Sequence, residues 1–356
     1  MRPTRVEIDL GAIAHNVARF AELIAPALMC AVVKADGYGH GDVPVAETAL
    51  SSGAEWIAVA LVEEGIRLRE AGIEAPILVL SEPGPETAVD IAKWELTPTV
   101  YSEIFIESLA ATGAETGVHL KIDTGMHRVG AKADAVVDLV ELVGRMPGLS
   151  LDAVWTHFPV ADEDPEYTTH QIEEFHRVAS GFDVPMTHLA NTAGAVLFPD
   201  ARADLCRIGL GIYGLHPCDE TRSQIDLRPA MRMVSQVTHI QRLPSGARPS
   251  YGRIRPLERD ATVVTVPVGY ADGHPRGRTG DVLIGGNRHP FAGRVTMDQI
   301  LVDVGDQDVA IGDEVVLLGK QGMEEVTADD WAADLDTISW EVICTVGPRV
   351  PRSYIS

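Results

Sequence analysis

Residues 29–41 of the chain are Met-Cys-Ala-Val-Val-Lys-Ala-Asp-Gly-Tyr-Gly-His-Gly. The apolar run before Lys34 is short, partly β-branched and followed by glycines, a pattern typical of a buried β-strand. Burial at the end of such a strand lowers the pKa of a lysine, because it disfavours the charged form. A partly neutral lysine amine can attack a carbonyl and form a Schiff base. The glycines after it let a flat ligand or a phosphate approach the backbone closely.

A plainer interpretation of Lys34 is that its ammonium reaches into water while its aliphatic stem lies on the protein. Lysines are mostly exposed in folded proteins, so this interpretation is favoured for a lysine considered alone. The rest of the sequence has to decide between the two.

Strand-like and helix-like segments alternate in about eight βα units over residues 1–228, which predicts a (β/α)8 barrel. A doubly wound open sheet is the alternative architecture for this pattern. The predicted strands are Met29–Lys34, Trp56–Ala60, Pro76–Leu80, Thr97–Val100, Val118–Asp123, Ser150–His157, Met186–Ala190 and Ala203–Ile208. The predicted helices are Leu10–Ile24, Val43–Leu50, Val62–Ala71, Glu86–Trp94, Ser102–Ala111, Ala133–Val143 and Thr168–Ala179.

A second domain is predicted after residue 228, where helical periodicity fades and strand-like runs are punctuated by Gly, Pro and Asp. The pattern assigns residues 1–228 to the barrel and residues 229–356 to an all-β domain. The predicted strands of this domain are Val234–Gln241, Ala261–Val268, Asp281–Ile284, Gln299–Val304 and Glu314–Leu318.

The composition of the 356 residues, 46% hydrophobic and 23% charged, is that of a folded protein. The formal net charge of −23 argues against a nucleic-acid or anionic-membrane partner. No signal peptide or membrane span is expected, because no apolar segment has the required length. The four cysteines show no metal-ligand spacing, so we expect no metal site and a reducing, cytoplasmic location.

Polar residues of unusual type stand at the predicted strand ends, which all open on one face of a barrel. They are Lys34, Lys121 and Asp123, His157, Asn191 and Thr192, and Arg207. Each has a plain alternative: Thr192 can serve as a helix N-cap, His157 as a core histidine, and Arg128 in the fifth loop as a surface residue. Arg207 is harder to dismiss, because a buried cation requires a partner or a ligand. Together these placements favour a functional site.

Phosphate sites in barrels use the loops after the seventh and eighth strands. Thr192 follows the seventh predicted strand, and Gly209 and Leu210 follow the eighth. A phosphate held there, with the amine of Lys34 from the first strand opposite, predicts pyridoxal phosphate as the cofactor.

These residues also carry a resemblance to the bacterial alanine racemases, which are fold-type III pyridoxal-phosphate enzymes. In the first domain the shared motifs are AVVKADGYGHG at Ala31–Gly41, KIDTGMHRVG at Lys121–Gly130, THF at Thr156–Phe158, HLANTAG at His188–Gly194 and RIGLGIYGL at Arg207–Leu215. In the second they are SYG at Ser250–Gly252, GYADG at Gly269–Gly273, GRVTMDQ at Gly293–Gln299, and DTISWEV and RVPR near the C-terminus. The motifs occur in family order and span nearly the whole chain.

The resemblance implies a (β/α)8 barrel followed by a mainly β C-terminal domain, with the first few residues packing on the latter. It implies a cytoplasmic homodimer whose active sites are shared between subunits. The implied activity is the interconversion of L- and D-alanine, which supplies D-alanine for peptidoglycan.

The resemblance further implies two bases, because racemisation removes the α-proton on one face and returns it on the other. Lys34 is expected to bond the cofactor and to act on the D-alanine face. Tyr251, contributed to the other subunit's site, is expected to act on the L-alanine face, with Tyr270 near the entrance supporting it. Tyrosine is ordinarily a poor base with a pKa of about 10, so nearby cations or hydrogen bonds must assist it.

The remaining implied roles concern the cofactor and the substrate. Tyr38, Thr192, Gly209 and Leu210 are expected to hold the phosphate, with Arg207 at the pyridine nitrogen and His157 behind it. Arg128 and the Met297 backbone are expected to bind the substrate carboxylate, and Lys121 to be carbamylated and to orient Arg128.

One residue departs from the family pattern. In DTISWEV this chain has Trp340 where the family usually has a tyrosine whose hydroxyl bonds the phosphate. An indole offers only an N–H donor at a different reach. The departure keeps a racemase of broader specificity, for serine or other amino acids, as an alternative.

Two further alternatives are weaker. A fold-type III decarboxylase needs other substrate-binding motifs than KIDTGMHRVG and SYG. A non-catalytic pyridoxal-phosphate carrier built on a barrel alone would not have residues 229–356.

Overall fold

The computed structural model describes residues 2–356, which divide into two compact units. Ala12–Arg228 form the first unit, and Pro229–Ser356 together with residues 2–11 form the second. Strand β1 (Arg5–Asp9) therefore belongs to the second unit although it lies near the start of the chain. Within residues 2–356, no helix combines the length and the apolar character that a membrane crossing requires.

The first unit is built around eight parallel strands. Asp204 N donates to Thr187 O (3.1 Å) and Arg207 N donates to Ala190 O (3.0 Å), which joins the eighth strand to the seventh and closes the sheet. The predicted (β/α)8 barrel is confirmed, and the open sheet is excluded. The strands are β2 (Leu28–Val32), β3 (Trp56–Val59), β4 (Ile77–Val79), β5 (Thr97–Val100), β6 (Thr116–Lys121), β7 (Leu149–Trp155), β8 (Met186–His188) and β9 (Leu205–Ile208).

Helices follow the barrel strands largely where apolar spacing predicts them. The helix over Leu10–Ile24 has the predicted bounds and buries Ile13, Val17 and Phe20. The helical segments are α1 (Leu10–Ile24), α2 (Lys34–Tyr38, a single irregular turn), α3 (Asp42–Ser51), α4 (Val62–Glu70), α5 (Ala88–Lys93), α6 (Glu103–Ala110), α7 (Val136–Arg145), α8 (Pro165–Ala179), α9 (Thr192–Leu197) and α10 (Asp219–Arg222). Short 3-10 turns lie at Pro85–Thr87, Pro199–Ala201 and Leu210–Tyr213.

The first barrel strand is shorter than predicted. It ends at Val32 rather than at Lys34, because Val33 leaves the extended conformation (φ −116°, ψ 16°). The sixth predicted strand likewise ends at Trp155, two residues before His157. Both polar residues therefore lie on the connections just beyond the strands, where side chains have more freedom to face a ligand.

The second unit contains two sheets. In the larger one β1 pairs antiparallel with β10 and parallel with β18, which places the start and the end of the chain side by side. The strands are β10 (Met231–Gln236), β11 (His239–Leu243), β12 (Ala261–Val266), β13 (Asp281–Ile284), β14 (Asn287–Pro290), β15 (Ile300–Gly305), β16 (Glu314–Gln321), β17 (Glu324–Val326) and β18 (Arg352–Ile355). The smaller sheet has the order β11-β12-β15.

The single strand predicted over Val234–Gln241 is wrong, because the chain passes there from one sheet to the other. Val237 N donates to Asp313 O (2.9 Å), beside the larger sheet. The next residue, Thr238, donates to Thr265 O (2.9 Å) in the smaller sheet. The run is therefore split into β10 and β11.

The all-β domain predicted from the pattern alone is wrong, since the domain contains α11 (Ala328–Leu335) and α12 (Ser339–Cys344), but the mainly β domain implied by the resemblance is confirmed. Thr327 and Asp330 cap the first of these helices reciprocally, each side chain accepting from the other residue's N–H at 2.9 Å. The sequence carried this capping pattern. Trp331 anchors the helix by donating its indole N–H to Leu317 O at 2.9 Å.

Candidate active site

The polar residues predicted at the barrel strand ends are gathered at one end of the barrel. Lys121 is the last residue of β6, and Arg207 lies in β9. His157 is half-buried, and burial together with the positive charges of Arg207, Lys121, Arg128 and Lys34 lowers its pKa well below the ordinary value. His157 is therefore a neutral ring among four basic side chains.

The segment that follows Lys34 is a left-handed turn. Ala35, Asp36, Gly37 and Tyr38 have φ angles of 53°, 54°, 59° and 51°. This conformation costs roughly 1–2 kcal/mol for each residue with a Cβ. A Cβ on Gly37 would also lie 3.2 Å from the backbone nitrogen of the residue that begins α3. Strained backbone of this kind occurs where the surrounding structure holds it, commonly at functional sites.

Three of the residues predicted to hold the phosphate lie close together. A Cβ on Gly209 would lie 2.8 Å from Tyr38 Oη, so only a glycine leaves room for this hydroxyl. Thr192 Oγ1 accepts from Gly209 N at 3.1 Å. The Tyr38 ring stacks on Tyr213 (centroids 4.8 Å apart), whose hydroxyl donates to Val32 O at 2.9 Å. The start of the left-handed turn and the loop after β9 are thereby held against each other.

The interpretation of Thr192 as a helix N-cap is wrong. Asn191 caps α9, with Asn191 Oδ1 accepting from Gly194 N at 2.9 Å. Because the neighbouring asparagine takes this role, the Thr192 hydroxyl is left to bond the loop after β9. The fourth predicted phosphate residue, Leu210, is buried and begins the 3-10 turn of that loop.

Arg207 is almost completely buried, with 3% of its surface exposed. Its Nη1 donates to His188 Nδ1 (2.7 Å) and His188 O (3.1 Å). Its Nη2 donates to Thr156 O (2.7 Å) and Leu189 O (2.9 Å), and lies 3.3 Å from His157 Nδ1. Burial lowers the pKa of Arg207 to about 10, so it remains a cation at neutral pH. Within residues 2–356, its Nε–H has no acceptor.

Two buried histidines continue inward from Arg207. Because an arginine can only donate, His188 Nδ1 must accept and the neutral ring carries its proton on Nε2. That nitrogen lies 3.0 Å from His119 Nδ1. Burial and the charge of Arg207 lower the pKa of His119 to about 3, so His119 is neutral and carries its own proton on Nε2. No residue in the described part of the chain bonds this last nitrogen.

His119 and His188 are supporting residues that were not predicted from the sequence. One observation could have found His119: it precedes Lys121 by two positions in the same strand, and such residues point to the same face. In the sequence, His188 is distinguished only as the first residue of the HLANTAG motif. Its contact with Arg207 depends on the pairing of β8 with its neighbours, which no local pattern contains.

Lys121 is 3% exposed and shares an aromatic neighbour with Arg207. Its Nζ lies 4.7 Å, and Arg207 Cζ 4.5 Å, from the centroid of the Trp155 ring. Burial, followed by the charges of Arg207 and Arg128, lowers the pKa of Lys121 to about 7. A large share of the amine is therefore neutral at physiological pH.

The loop after β6 is folded by Asp123 and leaves Arg128 exposed. Asp123 Oδ1 accepts from Gly125 N (3.1 Å) and His127 N (2.9 Å). Arg128 forms no hydrogen bond or ion pair with any residue of 2–356. Its guanidinium is thus available for an anion near the cationic end of the barrel.

Tyr251 lies in the second unit on a strained turn, with 70% of its surface exposed. Ser250 and Arg253 have φ angles of 66° and 48°, and Gly252 has 75°. Ser250 Oγ donates to Arg294 O at 2.6 Å, which fastens the start of the turn. The backbone therefore presents the Tyr251 ring outward at the expense of local strain.

The other predicted residues of the second unit are near Tyr251. Tyr251 and Thr296 line the same cavity of about 280 Å³. Tyr270 N donates to Thr296 O, and Ala271 N donates to Met297 O, both at 3.0 Å. The N–H of Met297 has no acceptor within residues 2–356, so it remains available for an anionic group.

Trp340 lies in α12 and is half-buried. Its indole N–H has no acceptor in the described part of the chain. The helix is fastened one residue earlier, where Ser339 Oγ donates to Asp329 Oδ1. The departure from the family pattern thus falls on a side chain that the second unit does not use as a hydrogen-bond donor.

Comparisons with known proteins identify one and the same family along nearly the whole chain. A family model described as alanine racemase, N-terminal domain, matches residues 8–217, and one described as alanine racemase, C-terminal domain, matches residues 230–354. The alanine racemase of Halothermothrix orenii is 40% identical, over 99% of this chain and 97% of its own length.

Solved structures give the same result. An alanine racemase from Bacillus anthracis with bound L-Ala-P superposes with a TM-score of 0.95 at 36% identity, covering 100% of this chain and 96% of that chain. A histidine racemase from Leuconostoc mesenteroides subsp. sake superposes with a TM-score of 0.91 at 28% identity, covering 100% of this chain and 98% of that chain.

Proposed function

The chain belongs to the alanine racemase family, and we propose that it interconverts L- and D-alanine with Lys34 and Tyr251 as its two bases. The observation that carries the proposal is the set of groups gathered at one end of the barrel. Lys34 and Tyr38 come from the turn after β2 and Arg207 from β9, far away in sequence, and each has the chemistry that the reaction requires.

The residues present fit pyridoxal phosphate, the cofactor of this family. The Nε–H of Arg207 is a donor without a protein acceptor, which suits a ring nitrogen. Three cations, Arg207, Arg128 and Lys34, act on Lys121 against the single carboxylate of Asp123. This excess of positive charge suits a phosphate and a substrate carboxylate.

We infer that Lys34 would hold the cofactor covalently through Nζ. Tyr38 Oη, Thr192 and the backbone of Gly209 and Leu210 would hold its phosphate. The cofactor supplies a conjugated ring that accepts the electrons released when the Cα–H bond breaks. Arg207, backed by His157, would donate to the ring nitrogen, and because a guanidinium cannot accept a proton-bearing nitrogen's hydrogen bond, the nitrogen would stay unprotonated. An unprotonated ring would be a weaker electron acceptor, which would limit side reactions such as transamination.

The proton steps are assigned to two atoms. Lys34 Nζ takes or returns the α-proton on the D-alanine face, and Tyr251 Oη does so on the L-alanine face. Arg128 and the N–H of Met297 bind the substrate carboxylate, and Tyr270 supports Tyr251 near the entrance. The substrate is thereby held with its α-carbon between the two bases.

The assay of this function has two parts. The purified protein should show a visible absorbance band that borohydride removes, and it should convert L-alanine to D-alanine and the reverse. Serine and histidine are assayed beside alanine. A protein that binds the cofactor but leaves alanine unchanged would contradict the proposal.

We also propose that the enzyme is a cytoplasmic homodimer with shared sites, supplying D-alanine for peptidoglycan. The strong exposure of Tyr251 supports a role for this ring toward a second copy of the chain. The net charge of −23 suits a small-molecule enzyme without a nucleic-acid or membrane partner.

Lys121 is proposed to be carbamylated. Its pKa of about 7 leaves the amine neutral above that pH, so Nζ can attack CO2, forming an N–C bond while its proton passes to solvent. The carbamate carries a negative charge that would orient Arg128. We expect labelled bicarbonate to give a carbamate carbon resonance at about pH 8 and none at about pH 5.5, where the amine is protonated.

The control for this prediction is Lys132, an exposed lysine of the same region. The resonance should disappear in Lys121→Met and persist in Lys132→Met. A resonance that survives in Lys121→Met would refute the assignment.

Trp340→Tyr is expected to strengthen cofactor binding. The tyrosine restores a hydroxyl for the phosphate, and a hydrogen bond to a charged group contributes about 1.5–3 kcal/mol, or about tenfold or more in affinity. The measurement is a cofactor titration of the apoenzyme. Trp340→Phe, which supplies a ring without a hydroxyl, is the control and should bind no more tightly than the parent.

The broader-specificity alternative depends on the same residue. If Trp340 reshapes the substrate pocket, Trp340→Tyr should also change the ratio of kcat/KM for serine to that for alanine. If the ratio does not change, Trp340 does not determine the preference for alanine over serine.

A further inference from the structure

The left-handed turn after Lys34 is held at its start by a carboxylate from another helix. Glu64 lies in α4 and is buried. Its Oε1 accepts from Ala35 N at 2.7 Å. Its Oε2 accepts from Ala60 N (2.8 Å) and Leu61 N (3.1 Å). One carboxylate therefore joins the residue after Lys34 to the end of the neighbouring barrel strand.

The same helix also acts on the turn through Asp42, which follows it in the chain. Arg67 donates through Nε to Asp42 Oδ2 at 2.7 Å, and its Nη2 pairs with the same oxygen. Asp42 is the first residue of α3, and its N–H donates to Asp36 Oδ1 within the turn at 3.3 Å. Helix α4 thus holds the first residue of the turn directly and its second residue, Asp36, through Asp42.

We propose that Glu64 is a positioning residue of the active site, because its carboxylate holds the left-handed turn that sets the places of Lys34 and Tyr38. The inference rests on the proposed racemase function. Without the acceptor for Ala35 N, the turn can relax toward right-handed conformations. Relaxation would move the amine of Lys34 and the hydroxyl of Tyr38 together.

A plainer role for Glu64 is to cap its own helix, since Leu61 N donates to it at the start of α4. The bond to Ala35 separates the two roles, because Ala35 lies outside α4. A helix cap alone gives no reason for the cofactor site to depend on the conformation of Ala35.

The test begins with Glu64→Gln, which keeps the size of the side chain but replaces one accepting oxygen with a donor. At least one of the three N–H groups then loses its acceptor. We expect kcat to fall by about 10²-fold, the cost that a displacement of about 1 Å can have. The cofactor dissociation constant of the apoenzyme should rise about tenfold, while KM for alanine changes less than about threefold.

Glu63→Gln is the matched control, since Glu63 is the exposed neighbour in the same helix and the charge change is identical. It should keep the kcat and the cofactor affinity of the parent. Ala35→Gly in the Glu64→Gln background is the rescue, because glycine adopts a positive φ without a Cβ penalty. We expect this double variant to recover most of the lost cofactor affinity.

If Glu64→Gln does not fold, as judged by thermal unfolding, Gly37→Ala takes its place. This variant strains the turn from within and leaves α4 untouched, and it should produce the same loss of cofactor affinity and kcat. Unchanged values in Gly37→Ala would overturn the proposal. So would a Glu64→Gln variant that matches Glu63→Gln, or one that Ala35→Gly does not rescue.

Measurements on the parent enzyme distinguish failure of the role proposed for Glu64 from failure of the proposed racemase function. A parent that binds the cofactor and racemises alanine, with Glu64→Gln equal to Glu63→Gln, contradicts only the role of Glu64. A parent that neither binds nor racemises contradicts the function itself.

Discussion

Lys34→Ala is expected to lower the rate of alanine racemisation by at least about 10³-fold, because one proton carrier and the covalent hold on the cofactor are lost together. The variant should also lose the absorbance band that borohydride removes. Racemisation is measured in both directions, since Lys34 is assigned to the D-alanine face. The residue lies on a connection outside the strand, so its loss should leave the barrel folded.

Lys132→Ala is the control for this experiment, because Lys132 is exposed and lies outside the site. It should racemise at the parent rate. A Lys34→Ala variant with the parent rate would remove the basis of the proposed mechanism, whatever the cofactor affinity.

Tyr251→Phe is expected to reduce racemisation by about 10²–10⁴-fold, the usual contribution of a general acid–base group. The phenyl ring keeps the shape of the exposed side chain and removes only the hydroxyl. The turn should therefore keep its conformation, which is set by Ser250 and its bond to Arg294 O. Cofactor binding, measured by titration, should change little.

Mixing the two inactive variants tests whether the site is shared. If Tyr251 serves the partner's Lys34, random exchange of subunits makes about half of the dimers mixed, and each mixed dimer has one intact site of two. About a quarter of the parent activity should then return. A mixture with the Lys34→Ala/Tyr251→Phe double variant should recover none.

Failure to recover activity after confirmed subunit exchange would mean that Tyr251 serves its own chain. Exchange is followed by mass spectrometry of differently tagged subunits. This outcome would leave the two-base assignment intact while removing the shared site.

The histidines behind Arg207 show how a predicted site residue can depend on neighbours that were not predicted. The arginine was identified by its position in an apolar run at the end of the eighth strand. Its hydrogen bonds to His188, and from there to His119, depend on which strands are adjacent inside the closed barrel. Strand order is not encoded in the period of any one segment.

Local patterns determined the elements themselves. The helix over Leu10–Ile24 and the strand over Thr97–Val100 have the predicted bounds, since apolar spacing reflects which side of a segment faces the core. The barrel followed from the βα alternation, and its confirmed closure placed the predicted polar residues at one end. The missed capping pattern at Thr327 and Asp330 shows that α11 could also have been predicted.

The sequence by itself therefore determined the barrel, the change of architecture near residue 229 and the identity of the residues at the strand ends. Only the tertiary structure decided that Val234–Gln241 divides between two sheets, how β1 pairs within the second unit, and that the turn after Lys34 is left-handed. The physical reason is the range of the forces involved. Periodicity indicates which side of a single helix or strand is buried. A strained turn or a change of sheet is instead stabilised by hydrogen bonds to residues distant in sequence, such as Glu64 and Thr265.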